Sequence, residues 1–228
     1  ATVDIKSGTA TANAEAGKQL SSIWNRKKAG MPVNYGLNLN GGFVSPLSAG
    51  SLGGVFSLNY SKRSSYSEII RNNYDLEGVT RFDNRDKQYS ENVLVGGLAN
   101  LTYRSGSSRI SWKNSFNINS SDQFTERDGK DFNGDITTHI RSEELSFISN
   151  RLFNTQLIGE HLLSPGGIRI KWNANYALLK QDVPDLRRIK YTMDNNGAYY
   201  ANISSTGGGN PNNAGRFFSV LDEKVTGG

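Results

Sequence analysis

The chain has 228 residues, 26 Lys and Arg against 21 Asp and Glu for a net charge of +5, 36% hydrophobic residues and no cysteine. The absence of cysteine excludes a disulfide scaffold and thiolate metal ligands. Basic and acidic residues are interleaved without a basic helix or a run of five like charges, which argues against nucleic acid as a partner. No stretch approaches the ~18 uninterrupted apolar residues of a spanning helix, so any crossing of a membrane must be made by strands.

In chain order, residues 1–8 are a short strand candidate and residues 9–31 a polar stretch with Trp24 and the basic group Arg26, Lys27 and Lys28. Residues 1–10 lack the basic start and apolar core of a secretory leader, so the expectation is a removed leader or a piece of a longer protein. Tyr35, Leu37, Leu39 and Phe43 alternate with polar or small residues, and residues 45–54, with Pro46 and several Gly, read as turn chemistry. Phe56, Leu58 and Tyr60 alternate on the return. After a polar stretch at 62–92 come Val93, Val95, Gly97, Ala99, Leu101 and Tyr103, the Ser105-Gly106-Ser107 hairpin signal and a strand over 110–118.

A second polar stretch at 120–140 leads into 141–163, where Leu145, Phe147, Phe153 and Leu157 share one parity but Ser149 and Arg151 interrupt it; a bulge near Asn150, or projection of the strand beyond a membrane, would reconcile the pattern. Residues 164–167 turn the chain, 168–178 return, 182–215 form a third long connection, and 216–225 start another strand.

Within these segments successive side chains swap character. Ile110, Trp112, Phe116 and Ile118 oppose Arg109, Ser111, Lys113 and Ser115, and Ile168, Ile170, Trp172 and Tyr176 oppose Arg169, Lys171 and Asn173. A strand sends successive side chains to opposite faces, so each segment is a ribbon with one apolar and one hydrated side. Connections read as alternately short and long, the pattern of an outer-membrane barrel with short periplasmic turns near residues 45, 106 and 166 and long external loops around 75, 130 and 200. The expected fold is all-β: an antiparallel transmembrane β-barrel segment of about seven or eight strands, with residues 1–8 ending a plug or forming a first strand and 9–228 making a partial barrel.

Residues 151–161 (RLFNTQLIGEH), the Pro-Gly-Gly turn after them, 171–176 (KWNANY) and 182–188 (DVPDLRR) resemble the barrel of TonB-dependent outer-membrane receptors, in the branch whose members begin with a carboxypeptidase-regulatory-like domain. On that resemblance residues 1–6 look like the strand that closes the plug and 34–60 like the first barrel hairpin, so the chain reads as the N-terminal third of a barrel. The resemblance implies a cell outer-membrane location and import of a scarce nutrient of the siderophore, cobalamin, glycan or peptide class. It also implies energy from TonB through a plug and coupling box not seen in these residues, and leaves room for a surface lipoprotein over the loops. Two other readings fit the alternation: a soluble or surface all-β glycan-binding or adhesin module, and a passive porin-like channel.

Ile110, Trp112, Phe116, Ile168, Ile170, Trp172 and Tyr176 are the expected lipid-facing residues; Arg109, Lys113, Arg169 and Lys171 are expected to face the lumen, as a wall for an anionic substrate or as ion-pairing partners of a plug. Phe132, Tyr191, Tyr199 and Tyr200 are candidate ligand-stacking aromatics of the external loops. Arg187 and Arg188, with Pro184 and Asp185, would clamp a ligand or brace a loop base through Arg–carboxylate pairs. Asp128, Asp131, Asn133 and Asp135 suggest oxygen ligation, but Gly134 falls at the wrong offset for a calcium loop and an exposed turn is the better reading. His139 and His161 are far apart in sequence, Glu143, Glu144 and Glu160 lack periodic support as a carboxylate pair, and no nucleophile or phosphate-loop motif occurs, so neither catalytic residues, a metal nor a cofactor is assigned.

Overall fold

A computed structural model describes residues 15, 18, 30, 32–133, 136–163, 167–201 and 214–228. The chain divides into two units, Ala1–Pro32 and Val33–Gly228. Of the first, only four residues are described, with Lys18 and Glu15 paired at 2.9 Å; the strand expected at 1–8 lies outside the described residues.

The second unit is an antiparallel sheet of eight strands: β1 (Tyr35–Leu47), β2 (Gly50–Tyr74), β3 (Thr80–Ser105), β4 (Ser108–Asn133), β5 (Ile136–Leu162), β6 (Arg169–Met193), β7 (Tyr199–Ala201) and β8 (Ala214–Gly227). β1 to β6 follow one another as a meander, and both β7 and β8 pair with β6. Because β7 covers 191–193 of β6 and β8 covers 175–189, the two short strands fill one strand position in succession. The sheet is open, and among the described residues no strand pairs with the far side of β1.

Two expected loops are strands instead. The polar stretches at 62–92 and 120–140 extend β2 to β5 to 25, 26, 26 and 27 residues, leaving only Asp75 to Val79 and residues 134–135 as connections. Residues 182–193 are likewise the upper part of β6. The long-loop half of the short–long alternation is therefore not present at these two connections. Cross-strand charge explains the extension: Arg85 opposes Asp128, Lys87 opposes Glu126, Asp86 opposes Arg127, and Asp128 opposes Arg141. Opposite charges in directly facing positions stabilise a ladder without an apolar face.

Two turns at this end repeat one design. Asp75 Oδ1 accepts the N–H groups of Glu77 and Val79 at 3.0 and 2.8 Å, and Asp194 Oδ1 accepts those of Asn196 and Ala198 at 2.9 and 2.8 Å. Each turn closes on a glycine with positive φ, Gly78 at 80° and Gly197 at 81°, a conformation that a Cβ would oppose. Hydrogen bonds from Val79 and then Glu77, together with the Arg81 guanidinium 3.0 Å away, hold the Asp75 carboxyl below its usual range. A carboxyl depressed in the folded state stabilises at pH above its unfolded value of ~3.9, and the contribution is lost as pH falls through the folded value. Hydrogen exchange at Glu77 and Val79, corrected for intrinsic rate, is expected to show protection at neutral pH that disappears on acidification below the ordinary aspartate range; Asp75→Asn should flatten that pH dependence.

At the opposite end the connections are tight. β1 runs through Pro46 to Leu47 and β2 starts at Gly50, so the turn expected over 45–54 shrinks to Ser48 and Ala49. Proline is tolerated there because β1 is an edge strand. Gly106, at φ 52°, turns β3 into β4.

From β2 to β5 the register shifts only between Asn73 and Tyr74, beside the β2–β3 turn, so the bulge expected near Asn150 is not in the β4–β5 ladder. The irregularity lies in β6, where both ladders shift across the span containing Pro184 and Asp185. Proline has no N–H for the ladder, and the extra residue it forces exchanges the faces of everything above it.

Candidate functional site

Pairing places side chains on two faces. One carries Leu37, Leu39 and Phe43 of β1, Phe56, Leu58 and Tyr60 of β2, Val95, Leu101 and Tyr103 of β3, Ile110, Trp112 and Phe116 of β4, Phe153 and Leu157 of β5, and Ile170, Trp172 and Tyr176 of β6. These form a band about ten residues tall that stops at β8, where Asp222 and Lys224 take the same face. Nothing among the described residues covers it: Leu58 is 58% exposed, Trp112 50% and Phe116 42%, while Ile140 is the only buried apolar residue. The six strand residues expected to face lipid all lie in this band; Ile168 precedes β6 and is exposed.

Glycines make room within the band. A Cβ on Gly159 would lie 2.1 Å from the Trp172 indole, and one on Gly54 would lie 2.4 Å from the Phe43 ring. Rings lying across strand glycines cover backbone that would otherwise be open. Trp172 Nε1 donates to His161 Nε2 at 3.1 Å, and His161 Nδ1 meets Ser108 Oγ at 3.0 Å, tying the lower rim of the band together. Trp112 sits one step higher, its Nε1 donating to Thr155 Oγ1 at 3.0 Å.

The other face is mainly polar, with Leu94, Leu98, Leu152 and Leu179 among its middle residues, and has three zones. At the tight-turn end stand Arg104, Arg109, Lys113, Arg169 and Lys171 around Glu160, whose Oε1 is 3.6 Å from both Arg169 and Lys171. The middle is an amide field that includes Asn100, Asn117, Asn119, Asn150, Asn154 and Asn173. Beyond it, a cavity of about 410 Å³ is lined by Arg71, Asp86, Gln88, Gln123, Arg127, Glu144, Arg188 and Lys190 among others. There the charges are matched internally. Asp86, 1% exposed, takes Arg127 bidentately at 2.7 and 2.8 Å and Arg71 at 3.0 Å. Arg188 Nε donates to Glu144 at 2.6 Å and Lys190 Nζ to Asp131 at 2.8 Å. The Asp86 hydrogen bonds raise the Arg127 pKa further above its ordinary value.

The candidate ligand residues are on strands. Phe132 is next to the last residue of β4, Tyr191, Arg187 and Arg188 are in β6, and Tyr199 and Tyr200 form most of β7. The sequence pattern hid this because polar strands bearing charge on both faces resemble loops. Arg187 pairs with Asp185 at 2.6 Å and Arg216 approaches the same carboxylate at 3.5 Å, bracing the bulge. Arg188 belongs instead to the cavity, since the bulge separates the two arginines by face. Tyr199 lies under the Arg141 guanidinium at 4.4 Å, which pins β7 to the sheet. Asp128 and Asp131 point to opposite faces and pair with Arg141 and Lys190, so they are not one ligand set; Asp135 lies outside the described residues.

Asp86 and Arg127, the most buried charged pair, carry no signal within either strand alone; only their facing positions in a long hairpin mark them. Among the described residues no helix is long and apolar enough to cross a membrane, a statement that does not bear on strands. No protein-family model matches the chain, and no curated protein matches it.

Proposed function

We propose that this chain forms part of the wall of an outer-membrane β-barrel that imports a scarce nutrient, in the manner of a TonB-dependent receptor. The observation that carries the reading is the uncovered apolar band, about ten residues tall across six successive strands, backed by a predominantly polar face. A spanning strand needs about 9–11 residues with lipid on one side and a hydrated interior on the other. Strands of 25 to 27 residues continue well past that band, with charge on both faces, as a wall projecting into water would. The amide and ion-pair zones would line the substrate path, and the wall supplies no chemistry of its own; energy for release would come through a plug coupled to TonB.

The test is fractionation of the protein that carries this chain, with heat-modifiable migration in detergent gels. An outer-membrane band that migrates differently before and after boiling is the expected result. A detergent-free soluble monomer would overturn the reading.

A further inference from the structure

We infer that Arg151 and Lys180 hold the phosphate of a membrane lipid whose acyl chain lies in a groove directly beneath them. The two cations face each other across the β5–β6 ladder on the apolar side of the sheet, one step above Phe153 and Leu178 and therefore at the upper rim of the band. Side chains in directly opposite positions stand about 5 Å apart, and like charges there cost stability unless a counter-charge lies over them. Both residues are exposed, and neither has an ion pair among the described residues, although Asp222 faces Lys180 from β8. On its other side Arg151 faces Ile118, which offers no charge. Lys62, on the same face of β2, is different, since Glu91 holds it at 2.8 Å. The face thus neutralises Lys62 internally and leaves the Arg151–Lys180 pair open to an anion from outside.

A groove of about 560 Å³ lies below the pair, lined by Trp112, Thr155, Leu157, Ala174, Asn175 and Tyr176. It occupies the same two strands as the cations: Thr155 faces Tyr176 and Leu157 faces Ala174, four and six residues below Arg151. That offset is about 13 to 20 Å along the strand. A free anion would pair with the cations and leave the groove empty, and an uncharged apolar molecule would fill the groove and leave the cations unpaired. A lipid with a phosphate head and an acyl tail satisfies both at this spacing. Arg and Lys at such a rim lay their stems on apolar surface and keep their charges at headgroup level, where basic sites take phosphate headgroups. The inference rests on the barrel reading for its surroundings: in a barrel this face meets lipid, and the rim away from the tight turns lies in the outer leaflet.

The experiment uses the full-length protein in a neutral detergent and native mass spectrometry with phosphatidic acid, against phosphatidylcholine of the same acyl chains. One phosphatidic acid is expected to stay bound under conditions that strip phosphatidylcholine. Arg151→Gln with Lys180→Gln should lower its retention by about tenfold. Ala174→Phe, which fills the groove and leaves both cations in place, should lower it as well, and Arg109→Gln with Lys113→Gln on the opposite face should leave it unchanged. Equal retention of the two lipids, retention unmoved by the cation or the groove substitution, or inorganic phosphate held as tightly as the lipid would overturn the inference. Heat-modifiable migration of each variant shows that it has folded and keeps the two readings apart. Selective retention that depends on Arg151 and Lys180, in a protein with no heat-modifiable band, would sink the barrel and keep the lipid site; a heat-modifiable band with unselective retention would do the reverse.

Discussion

Phe116→Arg is expected to destabilise the inserted protein by about 2–4 kcal/mol, the cost of a cation at mid-depth on a lipid-facing strand. Phe116 is 42% exposed, faces Phe153 on β5 and Gly97 on β3, and lies near the middle of the band. Its neighbour Ser115 points to the polar face between Leu98 and Asn154, so Ser115→Arg should shift stability by well under half as much. The folded fraction in a urea titration of the membrane-inserted full-length protein, read by heat-modifiable migration, measures both. Equal effects of the two substitutions would mean that the faces are not solvated differently, and the barrel reading would fall with that result.

Asp86→Ala is expected to cost about 3 kcal/mol, the lower end of the range for removing one partner of a buried ion pair, since Arg71 and Arg127 keep some access to water. The carboxylate satisfies both guanidiniums and has no exposed side-chain surface. Its loss leaves two arginines side by side over a cavity already rich in cations. Asp128→Ala removes a pair at 2.9 Å whose partners are 66% and 59% exposed, so that change should cost no more than about 1 kcal/mol. Unfolding midpoints of the two variants in detergent would separate them; a smaller loss for Asp86 than for Asp128 would show that the inner charge cluster is not a brace.

The strands that cross the apolar band were legible because their residues alternate in character. Ile110 to Ile118 and Ile170 to Leu178 declare a two-residue period with one apolar face, and the turn at Gly106 declares the hairpin between strands. The projecting halves of β2 to β5 carried no such contrast. Tyr89, Glu91, Asp122 and Phe124 mix character on one face, so periodicity there is silent even though the backbone ladder continues. What organises those halves is pairwise: Asp86 with Arg127, Glu144 with Arg188, and Asp128 with Arg141 are complementary only once the register is known. The polar reach of 120–140 therefore reads as a loop in the sequence, and Phe132, Arg187 and Tyr191 read as loop residues for the same reason.

The sequence by itself determined that this is an all-β chain of two-faced strands, because the pleat converts alternating residue types into opposite surfaces wherever the chain is extended. Tertiary structure alone decided how far the strands run and which charges meet. A one-residue slip would have sent Arg127 to the apolar side, and the bulge around Pro184 sends Arg188 toward Glu144 while turning Arg187 toward Asp185. Register is a property of pairs of strands, and no single strand contains it.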